Sequence, residues 1–133
     1  MSRRSSGAAF QLWCKKWLEE HFPGIVVHNQ KMNHVAIGPG KWICQENDIF
    51  GCIDLVAICR GQKPLFIQVT MDQHIGRKFK DLIEVPWELE HAAVQLWIKR
   101  APTRVTISEL RRESVGFGLF PVAEIVRRKY ERV

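Results

Sequence analysis

Three polar residues interrupt the apolar stretch "GCIDLVAICRGQKPLFIQVT" at positions 51–70. Asp54 lies near the start of the first apolar segment, and Gln68 and Thr70 lie at the end of the second. A carboxylate in a buried strand is strongly destabilising when it is ionised and unpaired. Asp54 therefore requires a partner, which is a cation, a metal ion or a set of backbone N–H donors.

The short turn "GQKP" predicts that the two apolar segments pair as an antiparallel hairpin. The start of one strand then lies opposite the end of the other, so we expect Asp54 to lie opposite residues 68 to 70. Side chains alternate along a strand, so Gln68 and Thr70 share one face while Val69 faces the other way. The three polar residues are predicted to converge at the open end of the hairpin.

Periodicity and turn residues indicate the elements that position this hairpin. Apolar residues at helical spacing predict two helices, over 7–22 and 74–84. Alternating or β-branched segments predict further strands over 25–29, 34–38, 92–100 and 104–110. The connection 30–47 is polar and contains glycine, which favours a loop-rich segment, and 120–133 fits either a strand or a helix. This order predicts one α/β or α+β domain over 1–133 with a central sheet.

Size and charge narrow the class of protein. A chain of 133 residues is long enough for one compact domain, and no stretch approaches the roughly 20 consecutive apolar residues of a membrane span. The N-terminus lacks the apolar region of a secretory signal, so we expect a cytoplasmic protein with buried thiols. The formal charge of +6 favours a polyanionic partner, either nucleic acid or an acidic membrane surface.

The segments "IDLVAI" and "LFIQVT" resemble the PD-(D/E)xK nuclease superfamily. The similarity is greatest to the archaeal-type Holliday junction resolvases, which are found also in phage. A basic N-terminus running through "SGAAF" into the first helix and a basic helix after the hairpin add to the resemblance, which covers residues 3 to 85. It implies a restriction-endonuclease-like fold, with a central mixed sheet flanked by helices.

The resemblance also implies a site that binds Mg²⁺ or Mn²⁺. The metal ligands it implies are Asp54, the Gln68 side chain and the Val69 carbonyl, with Asp48 as a further carboxylate. The family has an acidic residue and a lysine where this chain has Gln68 and Thr70. Gln68 retains an amide oxygen as a ligand but removes one negative charge. Thr70 supplies a hydroxyl in place of the cationic group.

Nearby basic residues are candidates for replacing the missing lysine and for holding DNA. Lys78 and Lys80 join Asp54, Gln68 and Thr70 as expected catalytic residues. The DNA contacts expected from the resemblance are at Arg3, Arg4, Gln11, Lys15, Arg77 and Lys78. Gln11 stands where the family has a glutamate in its first helix. The alternative for each basic residue is an ordinary solvated position.

The expected function is metal-dependent hydrolysis of branched double-stranded DNA, four-way junctions above all, by a homodimer. Neither a small-molecule cofactor nor a membrane partner is expected, and the location would be the host cytoplasm for a phage protein. Two alternatives stay open. One is a nucleic-acid-binding protein that retains the fold without the chemistry, and the other is a phage nuclease that nicks DNA or processes ends.

Overall fold

The structure, a computed structural model, describes residues 5–29, 32–38, 41–46 and 49–126. Its helices are α1 (Ser5–His21) and α2 (Ile75–Ile83), with a 3₁₀ turn at Asp72–His74. Its strands are β1 (Val26–Asn29), β2 (Met32–Gly38), β3 (Lys41–Glu46), β4 (Leu55–Ile58), β5 (Leu65–Met71), β6 (Ala93–Ala101), β7 (Arg104–Arg112) and β8 (Phe117–Val126).

Both predicted helices are confirmed within a few residues of their expected bounds. In α1 the stripe of Phe10, Trp13, Cys14 and Leu18 is buried, which is the spacing that predicted the helix. The helix ends before the Pro-Gly pair that follows it in the sequence. No helix in the described part of the chain is both long and apolar enough to cross a membrane.

The main sheet has six strands in the order β1-β4-β5-β6-β7-β8. Neighbouring strands are antiparallel except for β5 and β6, which are parallel. Because parallel neighbours need a crossover connection, the chain leaves β5, forms α2 and returns to begin β6. The protein is therefore a mixed α+β structure with one mixed sheet and two helices.

The two helices cover opposite faces of the sheet. The buried residues of α1 form a hydrophobic cluster with Leu55, Ile67 and Trp97. Leu82 of α2 belongs to a second cluster, with Leu96 of β6. Side chains of successive strand residues point to opposite faces, so each central strand contributes to both clusters. The hairpin of β4 and β5 is thus enclosed between two helix layers.

The prediction of a loop-rich connection over 30–47 is wrong. Residues Met32–Gly38 and Lys41–Glu46 pair as an antiparallel two-stranded sheet, separate from the main one. The predicted strand 34–38 lies within β2, whereas β3 was missed. The apolar run "WIC" at 42–44 is a short β signal. Its polar flanks and the neighbouring "GPG" outweighed that signal in the sequence.

Strand and helix were both open for 120–133; the described part of this region belongs to a strand over Phe117–Val126, and 127–133 lie outside the described residues. This strand, β8, forms one edge of the main sheet. Its pairing with β7 is interrupted by an irregularity between Ile107 and Ser108, and Pro121 lies opposite Ser108. Proline has no N–H to donate, so it is tolerated in a sheet at such an edge.

The core position of β5 gives a testable difference between two isoleucines. Ile67 is fully buried, whereas Ile58 is 60% exposed at the end of β4. We expect Ile67→Ala to lower the free energy of unfolding by about 2–5 kcal/mol because it leaves a cavity between the layers. Ile58→Ala should change it by less than about 1 kcal/mol. Urea denaturation of both variants measures the difference, and equal effects would contradict the described packing.

Candidate functional site

Asp54 lies one residue before β4 and bonds to β5 through both its backbone and its side chain. Its N–H donates to the Ile67 carbonyl at 2.9 Å, and its Oδ2 accepts the Val69 N–H at 2.8 Å. The ladder of β4 and β5 pairs Leu55 with Ile67. Asp54 therefore lies opposite Gln68 and bonds to the residues on either side of it, as the hairpin geometry predicted. One of the partners considered from the sequence, a backbone N–H, is confirmed.

Gln68 and Thr70 face the α2 side of the sheet. Phe66, two residues earlier on β5, packs in the α2 cluster, while Ile67 and Val69 pack in the α1 cluster. The two polar side chains therefore share a face, as expected from strand alternation. Gln68 is 1% exposed and Thr70 is 5% exposed. The Thr70 hydroxyl donates to the Met71 carbonyl at 3.1 Å.

The Gln68 amide oxygen, Oε1, is buried and has no hydrogen-bond partner among the described residues. An unpaired buried acceptor loses its hydration without compensation, which costs about 1–3 kcal/mol. Most buried polar atoms in folded proteins have a partner. The exceptions are found at strained sites, functional sites and sites that hold a water or an ion. Gln68 therefore marks the end of β5 as a candidate ligand site.

The Val69 carbonyl is directed towards the end of β4. Along β5, the Pro64 carbonyl accepts a bond from Ala93 of β6, whereas the Ile67 carbonyl accepts one from Asp54. Backbone groups alternate between the two neighbouring strands, so those of Val69 point to the β4 side. Because β4 begins at Leu55, the Val69 carbonyl lies beyond the end of that strand. Three oxygen-bearing groups, from Asp54, Gln68 and Val69, thus belong to neighbouring positions at this end of the hairpin.

Gln11 of α1 reaches the same end of the sheet. Its Nε2 donates to the Asp54 carbonyl at 3.2 Å and also to the Asn29 side-chain oxygen. The helix is thereby joined to the ends of β1 and β4. Sequence reasoning selected Gln11 but missed Asn29, whose only signal was its position at the end of a predicted strand.

The three basic residues predicted on α2 do not share one environment. Ile75, Phe79 and Leu82 form the side that packs on the sheet. Lys78 lies next to that side and is half-buried. At about 100° per residue, Arg77 and Lys80 fall on the opposite side, and both are exposed. Lys78 is therefore the predicted cation that the helix holds closest to the sheet.

The parallel strand β6 adds two basic residues that sequence reasoning missed. Lys99 is paired in register with Met71, directly after Thr70, and its Nζ lies 6.0 Å from the centroid of the Phe10 ring. Arg100 forms an ion pair with Asp72 at 2.5 Å. A signal was available, because parallel strands end at the same edge of a sheet. Lys99 and Arg100, at the end of the predicted strand 92–100, could therefore have been placed near Thr70 from the sequence.

The remaining predicted residues lie elsewhere. Lys15 forms an ion pair with Glu19 one helical turn away at 2.8 Å, and both side chains are partly exposed. Such a pair contributes only about 0.3–0.5 kcal/mol, so Lys15 is readily available to another anion. Arg3, Arg4 and Asp48 lie outside the described residues.

The donor set at the end of β5 fits a hard divalent cation of moderate affinity. Carboxylate, amide and backbone carbonyl oxygens are the ligands that Mg²⁺ and Mn²⁺ accept. The orphaned Gln68 oxygen is the observation that supports this fit. Asp54 supplies one negative charge, and within the described ranges no group of three or more His, Cys, Asp or Glu side chains is placed to hold a metal. Affinity rises with the number of charged ligands, so a single carboxylate implies weaker binding.

The chain was compared with protein-family models, with curated proteins and with solved structures. None of the three comparisons returned a match.

The two bonds of Asp54 predict distinct effects for two substitutions. Asp54→Ala removes the acceptor of the Val69 N–H, so we expect the free energy of unfolding to fall by about 1–3 kcal/mol. Asp54→Asn retains a side-chain oxygen and should be less destabilising. Urea denaturation gives both values, and hydrogen exchange reports the Val69 amide directly. Unchanged exchange of that amide in Asp54→Ala would contradict the bond.

Proposed function

We propose that this chain is a metal-dependent, structure-specific DNA endonuclease that acts on branched DNA, with four-way junctions as its main substrate. The observation that carries the proposal is the buried Gln68 oxygen, which has no partner among the described residues and belongs to the residue before the Val69 N–H that bonds Asp54. An acceptor in that position is stabilised when a cation binds between it and the carboxylate. The proposal also rests on the resemblance of "IDLVAI" and "LFIQVT" to the PD-(D/E)xK nucleases.

The order of elements supports a restriction-endonuclease-like fold as part of this proposal. The chain has a helix, an antiparallel arrangement of β1, β4 and β5, a second helix, and then the parallel strand β6. The mixed sheet is flanked by one helix on each face. The β2–β3 pair is inserted between β1 and β4 and stands apart from that core.

Asp54, the Gln68 amide oxygen and the Val69 carbonyl would hold the divalent cation, with Asp48 as a further candidate. A bound cation of this kind lowers the pKa of a coordinated water and stabilises the charge that develops on a phosphodiester. Gln11 and Asn29 fix the backbone of Asp54 in place. The protein side of the site is therefore held by hydrogen bonds from α1 and β5, which keep the ligands in position before substrate binds.

Basic groups surround this end of the sheet and match a phosphate backbone. Lys78, Lys99 and Arg100 come from α2 and β6, and Lys78 is our candidate for the cation that Thr70 does not supply. The formal charge of +6 adds attraction over a longer range. A four-way junction has two equivalent strands to cut, so the proposed active form is a symmetric homodimer. The proposed location is the cytoplasm, that of the host for a phage protein.

A second candidate function is DNA binding without cleavage. The observation that favours it is the neutral amide of Gln68 in a site with a single described carboxylate, one oxygen of which already accepts the Val69 N–H. Such a site attracts a cation less strongly than one with two carboxylates. A binder of this kind would keep the basic surface and the fold, and it would have no need for the metal.

Synthetic DNA substrates separate the two candidates. Labelled four-way junctions, flaps and linear duplexes are incubated with the protein and Mg²⁺ or Mn²⁺, and products are resolved on denaturing gels. We expect symmetric incisions in the four-way junction and little cutting of linear duplex. Binding without any incision would refute the nuclease and leave the binder, whereas cutting confined to flaps or ends would favour the alternative nuclease.

Asp54→Asn tests the role of the carboxylate in cleavage. We expect this variant to lose cleavage by roughly a hundredfold or more while binding the junction as tightly as the parent, because one metal ligand is neutralised. Gel-shift titration in EDTA measures the binding, which separates loss of chemistry from loss of fold. The matched control is Glu113→Gln, which neutralises an exposed carboxylate after β7, at the opposite end of the sheet. Full activity in Asp54→Asn would refute the proposed metal site.

Gln68→Glu tests whether the missing negative charge at residue 68 limits metal binding. The variant adds the negative charge that the resembled family has there, so we expect tighter Mn²⁺ binding. Thermal unfolding at increasing Mn²⁺ measures this, because a ligand that binds the folded state raises the melting temperature. The shift at saturating Mn²⁺ should be larger in Gln68→Glu than in the parent and absent in Gln68→Leu. Identical shifts in all three proteins would place the cation elsewhere.

A further inference from the structure

A large groove lies at the end of the sheet opposite Asp54. Its volume is about 890 Å³. It is lined by residues at the end of β4 and the start of β5, including Ala57 and Leu65, whereas Asp54 lies at the other end of this hairpin. The groove is thus distinct from the proposed metal site. A molecule bound in the groove would leave the Asp54 end of the sheet accessible.

The lining of the groove is largely apolar. One wall is the C-terminal half of α1, and the floor crosses β6, β7 and β8; the main apolar residues are Trp17, Phe22, Trp97, Ile107, Val122 and Ala123. Phe22 is 46% exposed and Val122 is 42% exposed. Exposed apolar side chains of this kind, both lining one groove, are stabilised when a partner covers them.

The dimensions of the groove fit one α-helix lying beside α1. From β6 to β8 the floor spans two strand spacings, about 9.5 Å in all. A helix with its side chains is about 10–12 Å in diameter. The helix α1 forms a single layer on this face of the sheet. An added helix would lie in the same layer, beside α1. The volume corresponds to roughly two helical turns at that diameter.

The charged rim of the groove favours an acidic occupant. Two basic side chains line it on this face, from Lys63 and Arg111, against one acidic side chain, Glu109. The Arg112 guanidinium lies over the Phe117 ring, which packs in the α2 cluster on the opposite face. Arg111 is 3.3 Å from Glu109 at an exposed position, a pair that is weak in water. The Lys63 ammonium donates to the Leu89 carbonyl, so its charge is not neutralised by an anion there. The rim therefore presents a net positive charge around an apolar floor.

From this geometry we propose that the groove binds an acidic amphipathic helix of a partner protein. Its apolar stripe would lie on the floor between Trp97 and Ala123, and its acidic side chains would lie against Arg111 and Lys63. This is the helix-in-groove mode of recognition. The proposal stands on the groove alone and does not depend on the nuclease activity.

Segments of this chain fit the groove less well than such a partner. The C-terminal sequence after β8, "RRKYERV", is basic, and its charge opposes that of the rim. The outward side of α1 in a second copy carries Lys16, Glu19 and Glu20, all exposed. Placing these charges on an apolar floor costs solvation that the floor cannot return.

The test uses a fluorescein-labelled synthetic peptide of about 18 residues, long enough to form an isolated helix. The peptide carries leucines at helical spacing and glutamates elsewhere, and its matched control has lysines in place of the glutamates. Fluorescence anisotropy with the full-length protein gives both affinities. We expect the acidic peptide to bind roughly tenfold more tightly than the basic one, with a difference that shrinks as salt is raised.

Two protein variants locate the binding. Lys63→Ala with Arg111→Ala should weaken acidic-peptide binding by about tenfold. The control with the same change in charge is Arg77→Ala with Lys80→Ala, on the outer side of α2, and it should leave peptide affinity unchanged. Ala123→Trp fills the floor and should abolish binding. Circular dichroism and thermal unfolding confirm that each variant is folded, and the surface double variant serves if Ala123→Trp is not.

Four results would overturn the proposal. Equal affinity for the acidic and basic peptides, or no binding of either peptide, would contradict the charge argument. Equal weakening in the two double variants would show a general effect of net charge. Sedimentation that shows a dimer dissociated by Ala123→Trp would assign the groove to a second copy. Stoichiometric binding of dodecyl phosphate, lost in Ala123→Trp, without peptide binding would assign it to a small amphiphile.

Discussion

The bond from the Val69 N–H to the Asp54 carboxylate, 2.8 Å long, organises the end of the sheet at which the candidate site lies. The register of β4 and β5 would place Ile53 opposite Val69, but the Ile53 carbonyl accepts the Ile49 N–H, so the side chain of Asp54 becomes the acceptor for Val69. The carboxylate is thereby held at the sheet, with the Val69 carbonyl directed to the same side. Asp54 thus joins the two strands and also supplies the negative charge among the described residues that we propose as ligands.

Two different layers of the protein converge on this end. From the α1 layer, Gln11 binds the backbone of Asp54 and the side chain of Asn29. On the α2 side, the second cluster encloses Gln68. The proposed ligands Asp54 and Gln68 are therefore positioned by packing on both faces of the sheet. Preorganisation of this kind reduces the reorganisation needed when a charged ligand or substrate binds.

Local patterns predicted most of this arrangement, and long-range packing produced the rest. The turn length set the register of the hairpin, so the position of Asp54 near Gln68 followed from the sequence alone. Burial of the Gln68 oxygen depends on the layer that covers β5, and no local pattern encodes it. The exposed position of Arg77 was available in principle, because it falls outside the apolar stripe of α2. The strand β3 was missed because its apolar run is three residues long.

The edge of the sheet at β8 restricts how the protein can associate. Pro121 interrupts the row of N–H groups that an incoming strand would need, and the irregular pairing with β7 bends the edge locally. Extension of the sheet from one molecule to the next is therefore disfavoured. The other edge of the main sheet, β1, is only four residues long, so neither edge offers a long regular template to an added strand.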